Sequence, residues 1–234
     1  MRYLKICKGN FIERPNRFIA RVRIYGKEET VHVKNTGRCR ELLVPGAQVC
    51  LEDFQQRMGK RKTRYSLVGV KKGDILINMD SQAPNAAVRE ALESETLQLP
   101  GMRELQIIKP EKTYGGSRLD FYVEDMDGRK GFIEVKGVTL EEEGIAKFPD
   151  APTERGIRHI EELIKAKEEG YIPYILFVIQ MKGVTQFMPN DVTHPAFGDA
   201  LRRAGKAGVE LLAYDCRVTE NSMELADPVS VKLK

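Results

Sequence analysis

Residues 117–138 read SRLDFYVEDMDGRKGFIEVKGV, and this stretch decides the fold of the second half of the chain. Val, Ile, Phe and Tyr alternate with polar residues on both sides of Asp125-Met126-Asp127-Gly128-Arg129, the pattern of a β-hairpin with one buried face. Pairing centred near Asp127 sets position 120 opposite position 134, so the turn fixes the register. Glu134 and Lys136 then share one face, and Asp120 can join them while Leu119, Phe121 and Val123 point the other way. Two carboxylates and one ammonium converge. Like charges that close repel unless a cation lies between them, and an all-oxygen pair with room for water suits Mg²⁺ or Mn²⁺ better than Zn²⁺. A cross-strand ion pair on a solvated sheet face uses the same residues, and exposed pairs of that kind contribute about 0–1 kcal/mol each.

The sequence around this hairpin mixes helices with strands. A change of character at Ala83-Pro84-Asn85 divides the chain into 1–83 and 84–234. Val88 and Leu92 at helical spacing predict a helix over 86–97, stopped by Pro100-Gly101, and a strand over 105–111 precedes the hairpin. After it come a loop, then a helix over 152–169 with Pro152 in its first turn, Asp150 or Thr153 as cap and Gly170 as terminator. An almost wholly apolar strand over 174–181, a helix over 196–207 and a strand over 209–214 complete an α/β unit, a mixed sheet with helices on its faces. With the first unit included the chain is α+β overall.

The first unit reads differently. Short strands at 4–11, 17–25, 30–34, 48–53, 64–71 and 75–79 are punctuated by Pro15-Asn16, Tyr25-Gly26-Lys27, Pro45-Gly46 and Lys72-Gly73-Asp74. Such a string specifies a small β-barrel, OB-like or SH3-like. Charge separates the two units more sharply than pattern does. Residues 1–83 carry 18 Lys and Arg against 8 Asp and Glu, a net +10, while the remainder carries 20 against 26, so the overall +4 conceals a basic half and an acidic half. That asymmetry is the footprint of a polyanion-binding module joined to a metal-binding one. Within the basic half, Lys34-Asn35-Thr36-Gly37-Arg38 combines backbone donors with two cations, either a phosphate-holding loop or a plain turn. Arg57-Met58-Gly59-Lys60-Arg61-Lys62-Thr63-Arg64 places five cations in eight residues, which predicts a mobile basic loop able to grip nucleic-acid phosphates.

Several classes of function are disfavoured. Cys7, Cys39, Cys50 and Cys216 have no metal-type spacing and read as buried or free thiols, and three histidines, His32, His159 and His194, are too few for a His-rich zinc site. No G-x-S-x-G or P-loop word supports acyl transfer or nucleotide hydrolysis. The start of the chain lacks a signal-peptide pattern, and no apolar run approaches the roughly 18 residues that span a bilayer. A cytoplasmic protein with no membrane partner is expected; a homo-oligomer is left open.

Asp followed by Glu-x-Lys on a strand pair flanked by helices resembles the core of the PD-(D/E)XK nuclease superfamily. Longer words are more specific: Asn35-Thr36-Gly37-Arg38, Pro45-Gly46, Ser117-Arg118-Leu119-Asp120-Phe121, Ile133-Glu134-Val135-Lys136-Gly137-Val138-Thr139-Leu140 and Phe148-Pro149-Asp150-Ala151-Pro152-Thr153-Glu154-Arg155-Gly156. In this order they are similar to the sugar fermentation stimulation protein A family of bacteria and archaea, over essentially the whole chain. The resemblance implies an N-terminal OB-like domain and a C-terminal restriction-endonuclease-like domain, together DNA-binding. This sequence departs from the family words at Cys39-Arg40-Glu41-Leu42 and at Gly137, where Ser is common; neither removes a candidate ligand.

On this reading Asp120 and Glu134 hold Mg²⁺ or Mn²⁺ with the Val135 carbonyl as a third ligand, and Lys136 orients or deprotonates water. Glu90, on the preceding helix, is the candidate outer carboxylate. Arg118, and Arg155 or His159 one turn apart on the next helix, are candidate phosphate contacts, with Arg155 equally able to pair with Glu134 or Asp150. Arg38, Arg61, Lys62 and Arg64 are the candidate DNA contacts of the first unit. The expectation is a divalent-metal-dependent deoxyribonuclease. The alternative is a non-catalytic DNA-binding regulator of sugar metabolism genes that retains the nuclease scaffold, and a sugar hydrolase is disfavoured because the chain has no Trp for carbohydrate stacking.

Overall fold

The computed structural model describes residues 1–35 and 37–234; Thr36, in the candidate phosphate-holding loop, lies outside the described residues. Six strands form the first unit: β1 (Ile6–Asn16), β2 (Ile19–Ile24), β3 (Lys27–Val33), β4 (Gln48–Asp53), β5 (Tyr65–Lys72) and β6 (Ile75–Asn78). All six fall on the expected strands. Their hydrogen-bonded order is β3-β2-β1-β4-β5-β6, and a parallel β3–β5 pairing through His32↔Ser66 and Val33↔Leu67 closes the first five into a barrel. That closure selects the OB-like arrangement. Alternate residues of β1 and β2 point inward, so Phe11, Val22, Val31, Leu51 and Leu67 fill the interior.

The second unit opens with α1 (Ala83–Glu93), which begins three residues before its expected start because Pro84 occupies the first turn, where its missing N–H costs nothing. β7 (Leu105–Tyr114), β8 (Ser117–Asp125) and β9 (Lys130–Val138) then run as an antiparallel meander. The pairs Phe121↔Ile133, Tyr122↔Phe132 and Glu124↔Lys130 share the centre expected from Asp127. Asp125, 3% exposed, fastens the turn by accepting from the backbone N–H of Asp127 and of Arg129 and from the Arg129 guanidinium. The segment expected as a loop is instead a second hairpin, β10 (Leu140–Glu142) and β11 (Ile145–Phe148).

α2 (Glu154–Glu168) is capped by the Thr153 side chain, which accepts from the Gly156 N–H, and Gly170 follows its end at φ +89°. β12 (Ile172–Ile179), β13 (Gln186–Pro189), α3 (Pro195–Lys206), β14 (Glu210–Val218), β15 (Met223–Pro228) and β16 (Ser230–Val231) complete the chain. The large sheet has the order β15-β14-β12-β9-β8-β7, with parallel pairing of β12 to β9 and to β14. A smaller sheet, β10-β11-β13-β16, was not anticipated from sequence. On one face of the large sheet α1 packs Ala87, Val88 and Leu92 against Phe121, Ile133, Tyr174 and Leu176. On the other, α2 and α3 pack Ile160, Leu163, Phe197 and Leu201 against Phe132, Ile175 and Phe177, in a cluster continuous with the barrel interior.

The two units are joined by polar contacts as well. Asn78 N–H donates to the Gln180 carbonyl at 2.9 Å, and Gln180 Nε2 donates back to the carbonyls of Asn78 and Asp80. Lys72 Nζ lies 2.6 Å from the Glu141 carboxylate. These contacts set the barrel beside the end of β9.

Gly131 marks how tightly β9 is seated. A methyl group there would lie 2.5 Å from the Ile172 carbonyl oxygen of the adjoining strand and 2.8 Å from Met102 Cε. Gly131→Ala is therefore expected to cost about 1–3 kcal/mol by overpacking, read as a lower urea midpoint with an unchanged slope.

Candidate active site

β8 and β9 stop pairing at Phe121↔Ile133, and the candidate residues lie just beyond that point. The Asp120 carboxylate enters the gap, where Oδ2 accepts from the Val135 N–H at 2.8 Å and Oδ1 accepts from Asn85 Nδ2 of α1 at 2.8 Å. In an extended strand the N–H and C=O of one residue point to the same side, so the Val135 carbonyl also faces this gap. Leu119 does not share the core of Phe121 and Val123 as expected from strict alternation. It packs in the opposite cluster.

Glu134 is 3% exposed and points toward α2. Its Oε1 accepts from Lys136 Nζ at 2.5 Å and from His159 Nδ1 at 2.5 Å. Its Oε2 is buried and has no hydrogen-bond partner among the described residues. An orphaned carboxylate oxygen is costly, since it forgoes water and receives nothing in exchange. Beside it stands a second carboxylate: burial and then the Glu134 charge raise the Asp120 carboxyl above its ordinary range. Burial acts in the same direction on Glu134, but the hydrogen bonds and charges of His159 and Lys136 outweigh it and hold that carboxyl low. Two acids with oppositely displaced affinities for protons, one bearing a free oxygen, make an oxygen-lined niche short of positive charge. Among the described residues no group of three His, Cys, Asp or Glu side chains gathers around a metal position. A site of two carboxylates, a carbonyl and water needs no third acid.

The structure brings Asp120, Glu134, Val135 and Lys136 together and leaves Glu90 out. Glu90 is exposed and pairs with the amino group of Met1 at 2.5 Å. Five residues of helix separate it from Asn85, about 140° of rotation, so the two cannot face the same strand. Asn85, read from sequence only as part of a boundary, takes the helix position at the site. Arg155 neither pairs with Glu134 nor with Asp150; its Nε donates to His159 Nε2 at 3.3 Å. Arg118 is exposed near Glu111 at 3.6 Å. The signal for His159 was present in the α2 pattern, where positions 156, 159, 160 and 163 form the buried stripe.

The basic run of the barrel is partly occupied by its own contacts. Arg64 forks onto Asp53 through Nε and Nη2 at 2.8 Å each, Arg61 donates to Ser66 Oγ at 2.6 Å, and the guanidinium groups of Arg57 and Arg61 cover the Phe54 ring. The Arg64 hydrogen bonds hold the Asp53 carboxyl far below its ordinary range. These arginines are thereby engaged within the loop itself. Lys62 and Arg38 are exposed and make no ion pair among the described residues. In the loop before Arg38, Arg14 donates to the carbonyls of Asn35, Gly37 and Arg38, while the Gly37 N–H is taken by Asn35 Oδ1.

Two family models match the chain. One described as the sugar fermentation stimulation protein RE domain covers residues 82–222, and one described as the SfsA N-terminal OB domain covers residues 12–79. A sugar fermentation stimulation protein homolog of Desulfitobacterium hafniense (strain DSM 10664 / DCB-2) is 58% identical over 235 residues, spanning 100% of this chain and 99% of the relative. A homolog from Clostridium beijerinckii is 54% identical over 233 residues, with 100% of both chains covered. The solved structure of Pyrococcus furiosus SfsA in complex with Ca²⁺ is similar with a TM-score of 0.88 and 31% identity, covering 99% of this chain and 98% of that one.

The charge state of the site sets a stability prediction. Because Asp120 binds its proton more tightly in the folded protein than the ordinary value of 3.8 implies, its ionisation weighs against the fold at high pH, and that contribution is relieved as pH falls toward that range. Asp120→Asn carries no charge to bury, and the Asn85 amide can turn to meet it. In cation-free buffer the variant is expected to be about 0.5–2 kcal/mol more stable than wild type at pH 8, with the advantage shrinking as pH falls toward the ordinary carboxylate range, as read from urea midpoints.

Proposed function

This chain belongs to the sugar fermentation stimulation protein family, and from that premise we propose that it binds DNA and hydrolyses phosphodiester bonds at Asp120, Glu134 and Lys136 with a divalent cation. The observation that carries the proposal is the buried, partnerless Oε2 of Glu134 beside a second, charge-strained carboxylate. Cleaving a diester requires charge neutralisation on a non-bridging oxygen and a positioned water, in a site that excludes bulk solvent. Asp120 and Glu134, with the Val135 carbonyl, have the all-oxygen donor set of a Mg²⁺ or Mn²⁺ site, and such an ion supplies the Lewis acid and lowers the pKa of bound water. The Pyrococcus furiosus relative was solved with Ca²⁺, another hard cation that takes oxygen ligands, which supports this choice.

The side chains divide the remaining tasks. Asn85 and the Val135 N–H fix the Asp120 carboxylate in the gap. Lys136, 13% exposed, is the one ammonium at the site mobile enough to move from Glu134 toward an incoming phosphate. Lys62 and Arg38 of the barrel, and Arg118 and Arg155 near the site, provide sequence-independent phosphate contacts whose contribution falls with salt.

Linear duplex, single-stranded and flapped DNA incubated with the protein and Mg²⁺ or Mn²⁺ is expected to be cut. Asp120→Ala, Glu134→Gln and Lys136→Ala should each lower the rate about 10²- to 10³-fold while leaving DNA binding in place. Absence of cleavage on every substrate, or cleavage indifferent to these changes, defeats the hydrolytic assignment and leaves the DNA-binding regulator. A second expectation concerns the grip. Lys62→Ala and Arg38→Ala should each reduce the slope of log affinity against log salt by about 1 with no change in melting. Arg64→Ala, which strips Asp53 of its fork, should lower the melting temperature as well.

A further inference from the structure

We propose that His159 is a positioning residue for the cation site. Through its Nδ1–H it holds Glu134 Oε1, so that Oε2 alone is presented to the ion. The inference rests on the cation reading given above and deepens it.

Glu134 could otherwise rotate about its last bond and offer either oxygen. It does not, because two donors converge on the same one: Lys136 Nζ and His159 Nδ1, each at 2.5 Å, while Oε2 receives nothing. The two donors differ in permanence. Lys136 reaches Glu134 from two residues along the same strand on a flexible four-carbon stem, and the proposed reaction takes its ammonium to the phosphate. His159 is 6% exposed at its side chain and sits on the buried stripe of α2, next to Ile160, which packs in the core. When the lysine leaves, the imidazole remains.

The tautomer that this task requires is also specified. Arg155 Nε can only donate, and it lies 3.3 Å from His159 Nε2, so Nε2 is the accepting nitrogen and the ring proton belongs on Nδ1. Arg155, one turn earlier on α2, therefore selects the ring form that donates to Glu134. The chain Arg155, His159, Glu134 is a series of donors ending at the oxygen opposite the orphaned one. Groups that orient a metal ligand in this way typically change metal affinity 10- to 100-fold when removed.

The test uses geometry that a generic packing role lacks. In His159→Asn the side-chain NH₂ occupies the place of Nδ1, whereas in His159→Gln it occupies the place of Nε2. Mn²⁺ alone is titrated calorimetrically into the full chain, with melting of each cation-free variant measured alongside. His159→Asn is expected to bind Mn²⁺ within about threefold of wild type and His159→Gln at least tenfold more weakly. Equal affinity in the two variants, whether both retained or both lost, overturns the positioning role while leaving the cation site standing. Failure of the wild type to bind Mn²⁺ overturns the cation reading and this inference together. Should either variant fail to fold, the wild-type ring decides: long-range ¹H–¹⁵N correlations are expected to show His159 protonated on Nδ1, and a proton on Nε2 instead refutes the proposal.

Discussion

A buried carboxylate, Glu134, and a half-buried one, Asp120, within reach of each other's charge are the condition around which the second unit is organised. Asp120 sits where β8 leaves β9, and every hydrogen bond it accepts comes from a neutral donor, Asn85 and the Val135 amide. Glu134 faces the other way and is given the charged donor, Lys136, together with a histidine. The neutral donors leave Asp120 under the influence of its neighbour, while the charged donor keeps Glu134 ionised. This division explains why the two acids are displaced in opposite directions although desolvation pushes both the same way. A fold seeking stability alone would have supplied a partner for Glu134 Oε2 or filled the niche with apolar atoms, which is commonly neutral or better for stability. The niche therefore costs stability, which is what the proposed cation site would give up for binding.

The sheet supplies the rigidity this arrangement needs. β9 is held along its length by the parallel register with β12, from Ile172↔Gly131 to Ile179↔Val138, so its far end cannot close the gap opposite Asp120. α1 and α2 then bring one residue each from opposite faces, Asn85 and His159. The barrel adds a constraint of its own, because Gln180 at the end of β12 is hydrogen-bonded to Asn78 and Asp80. A Cβ on Gly137 would lie 2.6 Å from Gln180 Oε1 and 2.8 Å from Pro84 Cγ. The absence of a side chain there lets the junction of the units approach the strand that carries Lys136. Basic barrel and acidic site are thereby presented side by side, an arrangement suited to a substrate that is a continuous polyanion.

What the sequence disclosed and what it withheld follow from the range of the interactions involved. The hairpin register was legible because Asp125, Asp127 and Gly128 settle it within a few residues, and the barrel strands were legible because their alternation is local. The small sheet was not. β11 finds its parallel partner β13 some forty residues later, and each is only four residues long, so no local period announces them. Pro84 was read as part of a boundary although its place is the first turn of α1, which left Asn85 outside the helix, while Glu90 was expected at the site because the superfamily resemblance implies a helix acid there. The basic run is more self-engaged than its charge count implies, for a different reason. Charge counting cannot see that Asp53 and Phe54, immediately before it, absorb three of its arginines.

The pairing of both donors on one oxygen bears on how chemistry and architecture are separated here. Had Lys136 alone neutralised Glu134, moving its ammonium to a substrate would release the carboxylate at the moment its orientation matters, and each step would disturb the other. A second donor from another element removes that conflict, since α2 is anchored by Ile160 and Leu163 in the buried core. The cost is a buried histidine whose proton must lie on one particular nitrogen, and Arg155 meets that cost at the solvent edge of the same helix. Arg155 is therefore placed where an incoming phosphate could compete for its guanidinium. Arg155, His159 and Glu134 thus form one path of three side chains and two hydrogen bonds from the exposed edge of the helix to the buried carboxylate.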